Sequence, residues 1–340
     1  MRNPIRSAIN HFLRTTPLTL LLFGLVVALL DFMGLYAAAA KEGVLEISGG
    51  VGLLQDYGLI STVFGDAVLL YLVRWYYDTI YSVRVSKAVR NPGELDQPLS
   101  VLTSMVRIEG RYRLLLYRLA LIGAAFWLSN TGVHVFGNPE KHWGHKVFDS
   151  LDHPTSFVAS RIHNVYTWVL IGPFVLYVLV VVSRQLRVVM GSDHAGTFRY
   201  DLLNPDGRGG FAFVEKSHLI FNLMIAVFYV QLVMHIQTFE RMNIEHYVGI
   251  ALATLLLVFG NRLFLGDVRA TVDSLRVEAL NATKEKVYGN DALSFEILKY
   301  CYQQKVDLYS VLNVVTKTAA VAISIGGKVL PLIRKAFTQV

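Results

Sequence analysis

The chain has 340 residues, of which 54% are hydrophobic and only 17% charged, where a soluble domain carries roughly a quarter charged; its mean hydropathy is +0.44. That balance excludes an ordinary soluble domain and points to an all-α, polytopic integral membrane bundle. The net charge of +7 fits orientation by cytoplasmic Lys and Arg rather than a nucleic-acid partner, and a single cysteine, Cys301, excludes an internal disulfide and a cysteine-rich metal site.

In chain order, Arg2, Arg6 and Arg14 precede a first apolar run at 17–40. It ends in Ala37 to Ala40, a small-residue stretch like a cleavage site, but it is longer than the roughly 7–15 residues of a signal core and reads as a retained helix. Further runs near the roughly 20 residues that a bilayer demands fall at 51–73, 112–132, 165–182, 218–236 and 247–265. Six spans are expected, making 1–266 a transmembrane domain and 267–340 a cytoplasmic helical tail. The tail breaks at Tyr288-Gly289-Asn290, and its apolar stretch at 311–325 reads as lying on the membrane or against a neighbouring subunit.

Charge orients these spans. The N-terminal leader holds three basic residues, the 74–113 connection seven and the 184–216 connection five, against Lys41, Lys141, Lys146, Arg161 and Arg241 on the other side. Positive residues stay inside, so both termini are expected in the cytoplasm, in the inner membrane of a bacterium. Trp75, Tyr76, Tyr77, Trp127, Tyr166 and Trp168 fall near expected span ends and read as headgroup anchors. Gly172-Pro173 interrupts the fourth run and predicts a kink.

Charges within spans are costly and therefore informative. Asp31, Asp66 and Arg118 are pore or ion-pair candidates. At 1.5 Å per residue, Asp66 lies about 12 Å from the Arg74 end of its helix and Arg118 about 8 Å from Arg113, close enough in depth to pair. Asp31 has no charged partner at its depth, which suggests a water-filled cavity.

Histidines are the second group. Of ten, seven are expected on the outer side. His134, His163, His235 and His246 sit at span ends at similar depth, where imidazoles from separate helices suit haem b or a divalent metal, and His142-x-x-His145 suits a shared ion in a loop. The alternatives are a solvated histidine surface without any cofactor, or a pH-sensing cluster.

The connection before the fifth run reads Asp201-Leu202-Leu203-Asn204-Pro205-Asp206-Gly207-Arg208-Gly209-Gly210-Phe211. Its glycines make tight turns, and Asp206, Gly207, Arg208, Gly209 and Gly210 form a candidate anion-binding loop, although no Gly-Lys-Ser/Thr follows as in a P-loop. A structural turn is the alternative. The segment Pro205 to Gly210 resembles the Pro-Asp-x-x-Gly-Gly loop of uncharacterised bacterial polytopic membrane proteins, over about ten residues and with Asn204 where His is expected. The resemblance implies a cytoplasmic loop between spans and no particular activity.

There is no His-Glu-x-x-His, no Gly-x-Ser-x-Gly and no intramembrane serine with a histidine at matching depth, so a non-enzyme is expected. The leading expectation is a homo-oligomeric channel or pore-type effector without a cofactor, regulated through its cytoplasmic loops and tail, as in membrane-perturbing antiphage effectors. The alternatives are a redox protein using the outer histidines, and a membrane-anchored sensor or scaffold whose tail binds a soluble cytoplasmic partner.

Overall fold

The computed structural model describes residues 16–81, 111–136, 147–190, 198–204, 206, 208–237, 251, 254–256, 258–260, 266, 268–288, 292–293, 295–297 and 314–319. Among them five helices are long and apolar enough to cross a membrane: Leu18–Lys41, Tyr57–Ile80, Leu114–Gly132, Pro154–Arg184 and Ala212–Met234. The expected sixth span, 247–265, lies mostly outside the described residues, of which 251, 254–256 and 258–260 are helical.

Helix α1 covers Pro17–Lys41. Thr16 starts it, its hydroxyl accepting the Thr19 N–H at 3.3 Å, while Pro17 occupies a first-turn position that needs no amide donor. Leu18, Leu22, Val26, Leu29 and Met33 recur at helical spacing on an exposed face. So continuous an apolar face suits lipid and not water.

Helix α2, Tyr57–Tyr81, is the centre of the bundle. Asp56 caps it by accepting the Leu59 N–H at 2.9 Å, and both α1 and the later helix Ala212–Gln237 pack against it. Lipid offers no hydrophobic drive between helices, so close approach depends on small residues. Gly24 of α1 meets Ala67 of α2 so closely that an added Cβ would stand 3.1 Å from the Ala67 Cα.

Helix α3, Arg111–Phe136, is peripheral, with Leu114, Leu121, Ile122, Phe126 and Leu128 exposed. The fourth span is one continuous rod: α4 (Pro154–Val165), a π-helical turn (Tyr166–Ile171) and α5 (Gly172–Val189). It begins eleven residues before the hydropathy run at 165–182, because α4 carries Ser156, Ser160, Arg161, His163 and Asn164, which dilute the apolar signal. The interruption expected at Gly172-Pro173 takes the form of the π turn just before it, a common way for a helix to absorb an extra residue. Helix α6, Ala212–Gln237, returns beside α2.

Helix α7, Val268–Tyr288, sends Val268 and Leu275 into the same buried cluster as Val73, Tyr76, Val182 and Phe221. The start of the expected tail is thus packed against the spans. Tyr76, expected as a headgroup anchor, is completely buried there, and its hydroxyl bonds that of Ser183 at 2.9 Å. Tyr166 also lies within a span, inside the π turn.

At the opposite end of the bundle, Glu42 ties α1 to α4. Its carboxylate accepts the Thr155 N–H at 2.8 Å, the Ser156 N–H at 2.9 Å and the Ser156 hydroxyl at 2.6 Å. It thereby satisfies orphan donors at the positive end of a helix that has no side-chain cap of its own. Burial pushes the Glu42 pKa upward, but these hydrogen bonds outweigh it and hold the group at about 2, against 4.5 ordinarily. A depressed carboxylate pKa stabilises the fold above the unfolded value and loses that contribution as pH falls through the folded one. Glu42→Gln should therefore lower the thermal midpoint in detergent at pH 6, and the difference from the parent should shrink between pH 4.5 and about 2. A difference that stayed constant over that range would show that the clamp is not ionic.

Candidate functional site

The residues that bury polar groups in the bundle follow from helical spacing. On α2, Leu59, Val63, Asp66, Leu70 and Val73 form one inward stripe, so Asp66 points at the centre and is 2% exposed. On the fourth span, Ser156, Ser160, His163 and Thr167 form another, and all are buried. These stripes meet each other and α1 to build a chain of hydrogen bonds.

His163 Nδ1 faces Asp31 Oδ2 of α1 at 2.6 Å. Its Nε2 faces Thr62 Oγ1 of α2 at 3.0 Å and Thr167 Oγ1 at 3.5 Å. The Thr167 hydroxyl donates to Asp66 Oδ2 at 2.8 Å, and Gln231 Nε2 of α6 donates to Asp66 Oδ1 at 3.2 Å. The charged groups facing Asp66 are His163 and Asp31, and Tyr166 of the π turn faces both carboxylates. Gly65 makes room for Gln231: a Cβ there would stand 2.5 Å from its Nε2.

Counting along the helices at 1.5 Å per residue, Asp31, Asp66 and His163 all lie about 14 Å from the Glu42 end. In an apolar layer about 30 Å thick, that is close to the middle. Ionisable groups at that depth are expensive to hold unless they pair, and they mark paths for ions or protons. The pairing here is between elements far apart in sequence, so the network also locks α1, α2, α4 and α6 together.

Three expectations change. Asp66 is not paired with Arg118: its oxygens are taken by Thr167 and Gln231, while Arg118 is exposed on α3. Equal depth is a distance along two helices and says nothing of their rotation, which turns Asp66 inward and Arg118 outward. Asp31, expected to lack a partner at its depth, has His163. His163 lies nine residues inside the fourth span rather than before it, and both its ring nitrogens have partners, which leaves no free nitrogen to ligate haem in this arrangement.

The side chains of His134 and His235, and all of His142, His145 and His246, lie outside the described residues. Among the described residues no three His, Cys, Asp or Glu side chains gather as a metal-holding group.

The glycine-rich loop is also different from an open anion cradle. Asp206 Oδ1 accepts the N–H groups of Arg208 at 2.8 Å and Gly210 at 3.1 Å, and Oδ2 accepts that of Ala212 at 3.2 Å. The donors expected to face an anion are thus filled by the loop's own carboxylate, which also caps α6. Gly209 adopts φ 64°, and a Cβ there would strike the Tyr200 ring at 2.5 Å. Tyr200 in turn stacks on Phe211 with ring centroids 5.9 Å apart. Gly207 lies outside the described residues. Asp206→Ala should cost about 1–2 kcal/mol through the lost cap, read as a lower thermal midpoint; an unchanged midpoint would mean that the loop holds itself without this carboxylate.

Sequence reasoning named Asp31, Asp66 and His163 but missed Thr62, Thr167 and Glu42; Gln231, on the fifth run, is polar lining that the sequence also offers. The spacing of Ser156, Ser160, His163 and Thr167, four, three and four residues apart, was the available signal: a polar stripe on a membrane helix. No family model, curated protein or solved structure matches the chain, so the site rests on its own geometry.

Proposed function

We propose that this chain is a multi-pass protein of the bacterial inner membrane that moves ions across the bilayer, and that Asp31, Thr62, Asp66, His163, Thr167 and Gln231 line the route. The observation that carries this reading is the run of polar side chains from Asp31 through His163 and Thr167 to Asp66 in the middle of the spans, spaced 2.6, 3.5 and 2.8 Å in turn. A purely structural contact between helices needs one or two neutral partners, such as the Tyr76–Ser183 hydroxyl pair. Two carboxylates and an imidazole at one depth cost far more to bury than such a pair. Six spans with both termini in the cytoplasm remain the arrangement that the charge bias supports.

The full-length protein in liposomes should dissipate an imposed proton, sodium or potassium gradient faster than empty vesicles do, read with dyes sensitive to pH and potential. Leak equal to that of empty vesicles for every gradient would overturn the reading.

A further inference from the structure

The hydrogen-bond donors in the network can be assigned one by one. The Thr62 hydroxyl proton goes to the Leu59 carbonyl at 2.7 Å, and the Thr167 hydroxyl proton goes to Asp66 Oδ2 at 2.8 Å. Both hydroxyl oxygens can then only accept from the imidazole, so His163 Nε2 carries a hydrogen. On the other side of the ring, the 2.6 Å contact between Nδ1 and Asp31 Oδ2 needs one hydrogen of its own. Whether that hydrogen sits on nitrogen or on oxygen, Asp31 and His163 together are neutral. Asp66 accepts from the Thr167 hydroxyl and from the Gln231 amide, as a carboxylate can. With Asp66 ionised, the cluster holds one more negative than positive charge among the described residues that face it, His163 and Asp31, so Asp66 is a group that can take up a proton.

We propose that the ion moved is a proton, passed between the Asp31–His163 pair and Asp66 through the Thr167 hydroxyl. This rests on the ion-translocation reading above and names its substrate. In the transfer step the Nε2–H bond breaks as that proton joins Thr167 Oγ1, and the hydroxyl's original proton leaves for Asp66 Oδ2. The threonine ends with one proton, as it began. The imidazole becomes neutral with its hydrogen on Nδ1, facing an ionised Asp31, and Asp66 becomes a neutral acid.

Asp66 releases its proton to water on one side of the membrane and Thr167 rotates back; a turn of the imidazole ring presents its protonated nitrogen to that hydroxyl, and a proton taken up from the other side through Asp31 fills the bare nitrogen and restores the starting state. The groups facing the path are Asp31 from α1, Thr62 and Asp66 from α2, His163, Tyr166 and Thr167 from the fourth span, and Gln231 from α6. The 3.5 Å gap between His163 and Thr167 is the widest in the chain and the one that must close for transfer. It lies where α4 gives way to the π turn, between Val165 and Tyr166.

The test uses the full-length protein in liposomes carrying an internal pH dye, with sodium, potassium or choline as the bulk cation. Proton flux should persist in all three media. It should fall on the order of 100-fold in Thr167→Val, the scale of a positioned proton-transfer group, and survive in Thr167→Ser, which keeps the hydroxyl. A second readout needs no flux: in protein labelled with 15N-histidine, the signal lost in His163→Gln should show a protonated Nε2 at neutral pH. Sodium or potassium flux without proton movement would overturn the proton and leave ion translocation standing. Undiminished proton flux in Thr167→Val, or a bare Nε2 in the resting protein, would overturn the relay. No flux of any ion would overturn both readings.

Discussion

Asp66→Asn should leave the protein folded and abolish its ion flux. The two effects separate because the side chain's shape and its charge do different things. Asn keeps an oxygen to accept from Thr167 Oγ1, which donates to Asp66 at 2.8 Å. Its new NH2 faces the Gln231 amide, and a flip of that carboxamide presents an oxygen to it, so both partners stay satisfied. The fold loses at most about 1 kcal/mol of hydrogen bonding and is relieved of a buried charge, so the thermal midpoint should hold or rise. Transport has no such substitute, because an amide neither takes up nor releases a proton. Flux should fall by on the order of 100-fold or more, the scale seen when one preorganised polar group is removed from a reaction path. A folded Asp66→Asn protein with parental flux would make this carboxylate a structural group and move the route elsewhere.

The placement of these groups shows which physical information lies in a single sequence. Length and hydropathy depend on local composition, and they place all five described spans near their observed positions. They fail at the start of the fourth, where Ser156, Ser160, Arg161 and His163 are polar for reasons that only tertiary partners explain: Glu42 takes Ser156, Asp149 takes Arg161 and Asp31 takes His163. Once α4 is taken as part of the span, His163 moves from its mouth to its interior, and Asp31 gains the partner that hydropathy alone denies it.

Rotation about the helix axes is the other missing quantity. Asp66 and Arg118 match in depth, yet the inward stripe of Leu59, Val63 and Leu70 already turns Asp66 toward the bundle centre, and nothing in the spacing of α3 turns Arg118 to meet it. The Gly-rich loop illustrates a different limit. Its composition announces turns and free N–H groups, but whether an external anion or the loop's own Asp206 fills them is decided by backbone angles that composition does not encode.

Asp149→Leu should be among the most destabilising single replacements in the described bundle. Arg161 is 6% exposed, and its guanidinium is held by the Asp149 carboxylate, by Asn130 Oδ1 at 2.5 Å and by the face of Phe157, 5.1 Å from the ring centroid. Its Nε has no partner among the described residues, so little local capacity exists to absorb a further loss. Removing one member of a buried ion pair leaves the other charge uncompensated and costs about 3–5 kcal/mol. At roughly 2–4 °C per kcal/mol for a chain of this size class, that is about 10 °C in the midpoint of thermal aggregation. Replacing both members, Asp149→Leu with Arg161→Met, removes the charge along with its partner and should recover most of the loss, since apolar residues of similar volume commonly match a buried pair. The pair lies nearer the Glu42 end than the Asp31–His163–Asp66 chain, so the double variant should conduct like the parent. A double variant that stayed as unstable as Asp149→Leu would mean that the two side chains hold the loop at Val147–Asp149 against α4 by their shape and not by their charge.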